Sequence, residues 1–184
     1  MKQRPAWKNA KTKTGLVHVY TGDGKGKTSA GIGLLTRAAG QDLKCCLIQF
    51  MKGKYPYGEI KSLKKLGKID IKQFGKLEFI RKGEAKEIDK KEAEKATKEA
   101  KKVVCSGKYD LVVLDEICVS EFMGLVNVQK ILDIIKDKSD RTELVLTGRK
   151  ANKKIFSKAD YITFFENKKH PFKKGILARK GIEF

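Results

Sequence analysis

Short apolar runs alternate along the chain with segments whose apolar residues recur at helical spacing. Residues 16–21, 43–50, 69–74, 111–116, 143–147 and 161–165 have the length and composition of strands, and residues 27–39, 89–104, 126–135 and 152–158 read as helices. The unbroken run Cys45-Cys46-Leu47-Ile48 is what a parallel strand covered on both faces requires. Gly40 stands where the first helix should stop. Residues 89–104 combine Ala, Lys and Glu with pairs such as Glu94 and Lys98, the pattern of a helix lying on the surface, and they lack the large apolar residues of a coiled coil. Residues 51–59 read as a loop with turn formers and two tyrosines, and 75–83 as another. Strands and helices alternating at these lengths predict an α/β fold with a right-handed, doubly wound, mostly parallel sheet in three layers. Residues 15–184 are expected to form one domain, preceded by a flexible basic arm at 1–14 that carries Trp7.

The first strand runs into Thr21-Gly22-Asp23-Gly24-Lys25-Gly26-Lys27-Thr28 and then directly into a helix. That setting defines a phosphate-binding loop: backbone N–H groups surround phosphate oxygens and the helix adds the positive end of its dipole. Lys27 supplies charge and Thr28 a ligand for magnesium. The usual spelling G-x-x-x-x-G-K-[ST] asks for glycine at position 21, where this chain has Thr21. A second element of the same chemistry is Leu111-Val112-Val113-Leu114-Asp115-Glu116, the most hydrophobic strand, with two carboxylates at its end. In open parallel sheets ligands sit beyond the carboxyl ends of the strands, so Asp115 and Glu116 are expected to face the loop. Either carboxylate can complete a magnesium sphere with Thr28, and Glu116 can instead polarise water; the sequence ranks neither role.

Charge changes the picture little. Forty-two Lys and Arg against twenty-two Asp and Glu give +20, which suits nucleoside triphosphates, nucleic acid or an anionic membrane surface. The lysines are spread along the chain beside glutamates, as in Lys86-Glu87 and Lys98-Glu99, the signature of a solvated surface rather than of a nucleic-acid groove, which would interleave basic and aromatic residues. Cysteines at 45, 46, 105 and 118 form no C-x-x-C pair, so a zinc site is not expected, and buried free thiols suit a reducing compartment. The N-terminus has no apolar h-region and no run of about 18 apolar residues occurs, so the expected location is the cytoplasm.

Together with Thr147-Gly148-Arg149, these motifs make the chain resemble the cob(I)alamin (corrinoid) adenosyltransferases of the P-loop type, whose loop reads T-G-[ND]-G-K-G-K-T-[TS]. Further matches follow in family order: Thr36-Arg37-Ala38-Ala39-Gly40, Gln49-Phe50-Met51-Lys52-Gly53, Tyr57-Gly58-Glu59, Leu114-Asp115-Glu116, Ala159-Asp160, Lys169-His170-Pro171-Phe172, and the run from Ala178 to Phe184. The resemblance implies a P-loop NTPase (RecA-like) fold and attack by the reduced cobalt of cob(I)alamin on the 5′-carbon of ATP, with triphosphate leaving. It also implies Mg2+, a homodimer, and an electron donor such as a flavodoxin-type reductase. Residues carried over to ATP are Thr21, Gly22, Asp23, Gly24, Lys25, Gly26, Lys27, Thr28, Ser29, Arg37 and Arg149; to metal, Thr28 with Asp115 and Glu116; to corrinoid, Tyr57, Glu59, Phe79, His170 and Arg179. Lys27 and Phe79 take the catalytic roles. The chain departs from the family where the loop after the third strand typically carries G-F-T-W, since it reads Glu78-Phe79-Ile80-Arg81. Plainer readings stand beside these: Arg37 as a cation at a helix C-terminus, Phe79 as a loop anchor, His170 in a turn, Tyr55 and Tyr57 covering a core edge, and His18 as a structural residue of the first strand. A P-loop ATPase or small-molecule kinase using Glu116 as base, and a basic RecA-like nucleic-acid-binding protein, are the rival functions; neither accounts for the C-terminal matches.

Overall fold

The computed structural model describes residues 14–55, 57–76 and 83–183. The N-terminal arm with Trp7 and the loop with Phe79 and Arg81 lie outside them. One sheet holds six strands, β1 (Val17–Thr21), β2 (Cys45–Gln49), β3 (Ile69–Gln73), β4 (Leu111–Asp115), β5 (Glu143–Thr147) and β6 (Tyr161–Phe164), in the order β3-β2-β4-β5-β1-β6. Every neighbouring pair is parallel. The helices are α1 (Lys27–Ala39), α2 (Gly58–Leu66), α3 (Glu87–Cys105), α4 (Ile117–Phe122), α5 (Val128–Lys136) and α6 (Lys153–Phe156). Placing β5 between the loop strand β1 and the acidic strand β4 agrees with the RecA-like expectation.

Side chains alternate through the sheet, and the alternation sorts the core into two layers. Val17, Val19, Cys46, Ile48, Val112, Leu114, Leu144 and Leu146 pack with α3, α4, α5 and α6 on one face. Cys45, Leu47, Leu111, Val113 and Val145 pack with α1 and α2 on the other. The adjacent cysteines therefore point to opposite faces, and β2, β4 and most of β5 are buried on both. α3 lies close to its layer because the inward positions are small, Ala93, Ala96 and Ala100, while Glu87–Lys90, Glu92–Lys95 and Glu94–Lys98 pair outside.

Two helices have no counterpart in the apolar pattern. α2 buries only Ile60 and Leu63 among polar residues, and it occupies the stretch between the tyrosine loop and β3. α4 is six residues long, too short for periodicity to register. Gly40 ends α1 as expected, yet with right-handed backbone; the left-handed residue is Asp42, at φ 60°. His18 is structural: its Nε2 lies 2.5 Å from Glu143 Oε1 and its ring stacks on Tyr161 at 4.5 Å. Glu143 also accepts from the Leu16 N–H at 2.7 Å, which fixes where β1 begins against β5.

Register sets the carboxyl edge of the sheet, where Gln73, Gln49 and Asp115 stand side by side across β3, β2 and β4. Tyr20 is aligned with Thr147 across β1 and β5.

Burial pushes the Cys45 thiol up to about 11 and those of Cys46 and Cys118 up to about 12, while Cys105 is only partly covered. In native protein at pH 8 a colorimetric thiol reagent is expected to modify Cys105 ahead of the other three, and all four once denaturant is added. Rapid native reaction of several thiols would contradict the packing.

Candidate active site at the carboxyl edge of the sheet

β1 ends at Thr21 in ordinary strand conformation, so this position does not need glycine. Its hydroxyl is buried and accepts the Ala151 N–H at 3.2 Å, tying the exit of β1 to the segment after β5. That bond explains the threonine in the loop's spelling. Gly24 does need to be glycine: a Cβ there would lie 2.6 Å from the Glu166 carbonyl oxygen and 2.7 Å from that of Phe165. The close approach lets the Gly24 N–H donate to Phe165 O at 2.7 Å, stitching the loop to the end of β6. Lys27 opens α1, is 7% exposed, and donates from Nζ to Gly24 O at 2.6 Å. Burial, with Arg149 nearby, lowers its pKa.

The centre of the site is the Asp115 carboxylate, 1% exposed. Oδ1 accepts from Thr28 Oγ1 at 2.9 Å and from Thr147 Oγ1 at 2.7 Å. Oδ2 accepts from Lys52 Nζ at 2.8 Å and from Gln49 Nε2 at 3.2 Å. Burial alone would push this carboxyl up, but the Lys52 ammonium and the two hydroxyls hold it below the ordinary range. Lys52 is raised in turn: burial opposes its charge, and Asp115, with Glu116 and Glu59 behind it, outweighs burial. Its Nζ also lies 3.9 Å from Glu59 Oε1 and 5.5 Å from the centre of the Tyr57 ring.

Glu116 differs from its neighbour. Its backbone sits at φ 64°, a conformation held by its N–H donating to Thr147 Oγ1 at 3.0 Å. Among the described residues no hydrogen bond or ion pair engages its carboxylate. Burial, then the negative charge of Asp115, raises its pKa against the pull of Lys52, Lys27 and Arg149. Gly148 allows this packing: at φ 138°, a Cβ would meet Val119 N at 2.8 Å. Thr28, Asp115 and Glu116 thus bring hard oxygen atoms to one place, with the Glu116 oxygens unengaged, a donor set that fits Mg2+.

Most predicted residues converge here: the loop from Thr21 to Thr28, Asp115 and Glu116, Tyr57 and Glu59 at the start of α2, and Arg149, which is exposed but within electrostatic reach of Lys27 and Glu116. Asp23 pairs with Lys150 at 3.5 Å and Ser29 is exposed on the first turn of α1. Arg37 is not brought to the loop. It is exposed in the last turn of α1, ten residues past Lys27 and so about 15 Å along the axis, where a cation favours the helix C-terminus. His170 accepts the Phe172 N–H at its Nδ1, 3.2 Å away, and so caps the short 3₁₀ turn Pro171–Lys174. Arg179 is engaged by Glu183, which also holds Lys25. Phe79 lies outside the described residues. Lys52, Gln49 and Thr147, which surround Asp115, and Glu183, which holds Lys25, stand inside matched motifs, yet motif spacing alone assigns them no role. A lone polar residue in the apolar strand β2 and a lysine just beyond it are the signals that point to Gln49 and Lys52.

Residues 13–184 match the ATP:corrinoid adenosyltransferase family BtuR/CobO/CobP. The chain belongs to this family. It is 37% identical over 172 residues to a corrinoid adenosyltransferase of Sinorhizobium sp, covering 92% of this chain and 80% of the relative. A corrinoid adenosyltransferase of Pseudomonas aeruginosa is 32% identical over 175 residues, covering 95% and 86%. One from Escherichia coli K12 is 28% identical over 175 residues, covering 95% and 88%. The family match spans the loop, the acidic strand and the segment to Glu183.

Removing the cation while keeping the buried anion should be costly: Lys52→Met is expected to destabilise the fold by about 3 kcal/mol in denaturant unfolding. Lys52→Met/Asp115→Asn should recover part of that loss, whereas strictly additive effects would show that the pair does not act as a unit. The folded pKa of Asp115 is lowered, so its contribution to stability is full above the unfolded carboxyl value and disappears as pH falls through the folded one. Lys52 is raised, so the same pair is lost again as pH rises through the folded lysine value. Asp115→Asn should therefore flatten the acid limb of the stability profile.

Proposed function

We infer that this protein transfers the 5′-deoxyadenosyl group of ATP to the cobalt of cob(I)alamin or a related corrinoid. The observation that carries the reading is the convergence of the family-matched segments on one edge of one sheet. The phosphate loop, Lys52 with Tyr57 and Glu59 beside it, Asp115 and Glu116, and Arg149 gather at the carboxyl ends of the strands. In the reaction a Co–C bond forms to C5′ and the C5′–O bond to the triphosphate breaks, so charge accumulates on the leaving triphosphate. The nucleophile is the corrinoid substrate itself, and the task left to the chain is to orient C5′ and to neutralise the leaving group.

Lys27 is the principal neutralising group. Its hydrogen bond to Gly24 O shows the reach of the ammonium into the loop, and a bound phosphate would replace that carbonyl as acceptor. Mg2+ would be held by Thr28 and by Glu116, whose carboxylate has no competing partner among the described residues, and would supply further neutralisation of the triphosphate. Asp115 has both oxygens occupied, so its role is to orient Thr28 and Lys52. Tyr57 and Glu59 stand on the Lys52 side, where the corrinoid would approach, and Phe79 and Arg81 belong to the loop we assign to the corrinoid face.

The exposed edge strand β6, with Tyr161, Ile162 and Phe164, and the exposed Phe172, Ile176 and Leu177 beyond it, is the surface we assign to a homodimer. A net charge of +20 suits an acidic electron carrier of the flavodoxin type as the reductant. No helix among the described residues is long and apolar enough to cross a membrane. The buried thiols support a cytoplasmic setting.

Anaerobic incubation with Mg-ATP and chemically reduced cobalamin should yield adenosylated corrinoid and inorganic triphosphate in equal amounts. Formation of ADP and orthophosphate independent of corrinoid would overturn the assignment. Lys27→Ala is expected to lower kcat more than about a hundredfold, and Glu116→Gln to raise the Mg2+ concentration needed for half-maximal rate more than Asp115→Asn does. Both are read from the adenosylcorrinoid absorbance change.

A further inference from the structure

The first of the two loop lysines has a partner from the far end of the chain. Lys25 Nζ lies 2.7 Å from Glu183 Oε1, and Glu183 is itself gripped by Arg179. Arg179 Nη2 donates to Glu183 Oε1 and Nε to Oε2, each at 3.2 Å, and the Arg179 backbone N–H donates to Oε2 at 2.8 Å. The turn from Arg179 to Glu183 is closed by the Glu183 and Ile182 N–H groups donating to Arg179 O, with Gly181 at φ 79°. Arg179, its own backbone and Lys25 hold the Glu183 carboxyl down to about 2, so it is an anion at any working pH. Lys25, half exposed, is two residues from Lys27 on a loop built to receive a polyanion.

We propose that Glu183 is a built-in counter-ion of the phosphate loop: its carboxylate competes with the bound polyphosphate for Lys25 and thereby weakens retention of the triphosphate product. Arg179 is the positioning residue that presents Glu183 to Lys25. The role rests on the adenosyl-transfer reading, since a triphosphate product is what must be released. Its physical sign is fixed by charge: Lys25, Glu183 and Arg179 together carry +1, and Glu183→Gln makes the cluster +2 beside the phosphates. Lys25 is then free to bond the ligand rather than the protein.

Binding can be read directly, without corrinoid and without turnover, by titrating inorganic triphosphate and ATP into the protein in a calorimeter. Glu183→Gln is expected to tighten triphosphate about three- to fivefold, the size expected for one partly exposed charge pair. Glu183→Asp should restore most of the wild-type value. In a Lys25→Ala background Glu183→Gln should change affinity less than about twofold. In turnover, Glu183→Gln should show stronger product inhibition by added triphosphate, a readout that simple loosening of the turn would not move. Unchanged or weaker triphosphate binding in Glu183→Gln, or equal tightening with and without Lys25, overturns the counter-ion role while leaving the transfer reaction standing. Wild-type protein that binds neither ATP nor triphosphate would sink the transfer reading and the counter-ion role together.

Discussion

The Asp115 carboxylate is the constraint on which the site is built. A buried charge is tolerated only when its oxygens are filled, and here four donors fill them: Thr28 at the start of α1, Gln49 at the end of β2, Lys52 just beyond it and Thr147 at the end of β5. Three separate segments, the start of α1, the exit of β2 and the end of β5, are thereby pinned to the tip of β4. The same bonds that stabilise the fold aim the hydroxyl and the ammonium into the space beyond the sheet, so folding and site assembly are one event. Glu116 is left out of this satisfaction by a left-handed turn of the backbone, and that exclusion is what gives the site an unengaged carboxylate.

A second layer of control lies in how the loop is held from outside. Gly24 is hydrogen-bonded to the end of β6, Thr21 to the segment after β5, and Lys25 to Glu183. The loop is thus braced along its length by backbone, hydroxyl and charge. Each brace comes from sequence more than a hundred residues away. A cradle fixed in this way keeps its donors aimed before any ligand arrives, the condition under which electrostatic stabilisation acts most strongly.

Much of this was legible in the sequence, and the physical reasons for the rest are specific. β2, β4 and β5 stand where continuous apolar runs put them, because a strand covered on both faces has no freedom to be polar, while β1, β3 and β6 stand where shorter or partly polar runs do. The phosphate loop and the acidic strand end were legible because glycine, lysine and carboxylate at fixed spacing have few other uses. α2 and α4 were not, since one buries two apolar side chains and the other is barely more than a turn. Arg37 illustrates a different limit: it stands inside a matched motif, yet helix geometry carries it away from the loop. Lys52 illustrates the converse, because a single lysine after a strand becomes informative only once register sets it against a buried aspartate. Glu183 needed the chain to return on itself, which no local pattern records.

Register also fixes where this chain can change length. Gln73, Gln49 and Asp115 are level with one another only because β3, β2 and β4 are in step. One residue added inside β4 would turn the carboxylate to the opposite layer, away from Thr28, Thr147 and Lys52. The amino-terminal ends of the strands carry no such obligation. Insertions and deletions in related chains should therefore collect at the edge of the sheet away from the loop, with the carboxyl edge conserved in length before it is conserved in residue type.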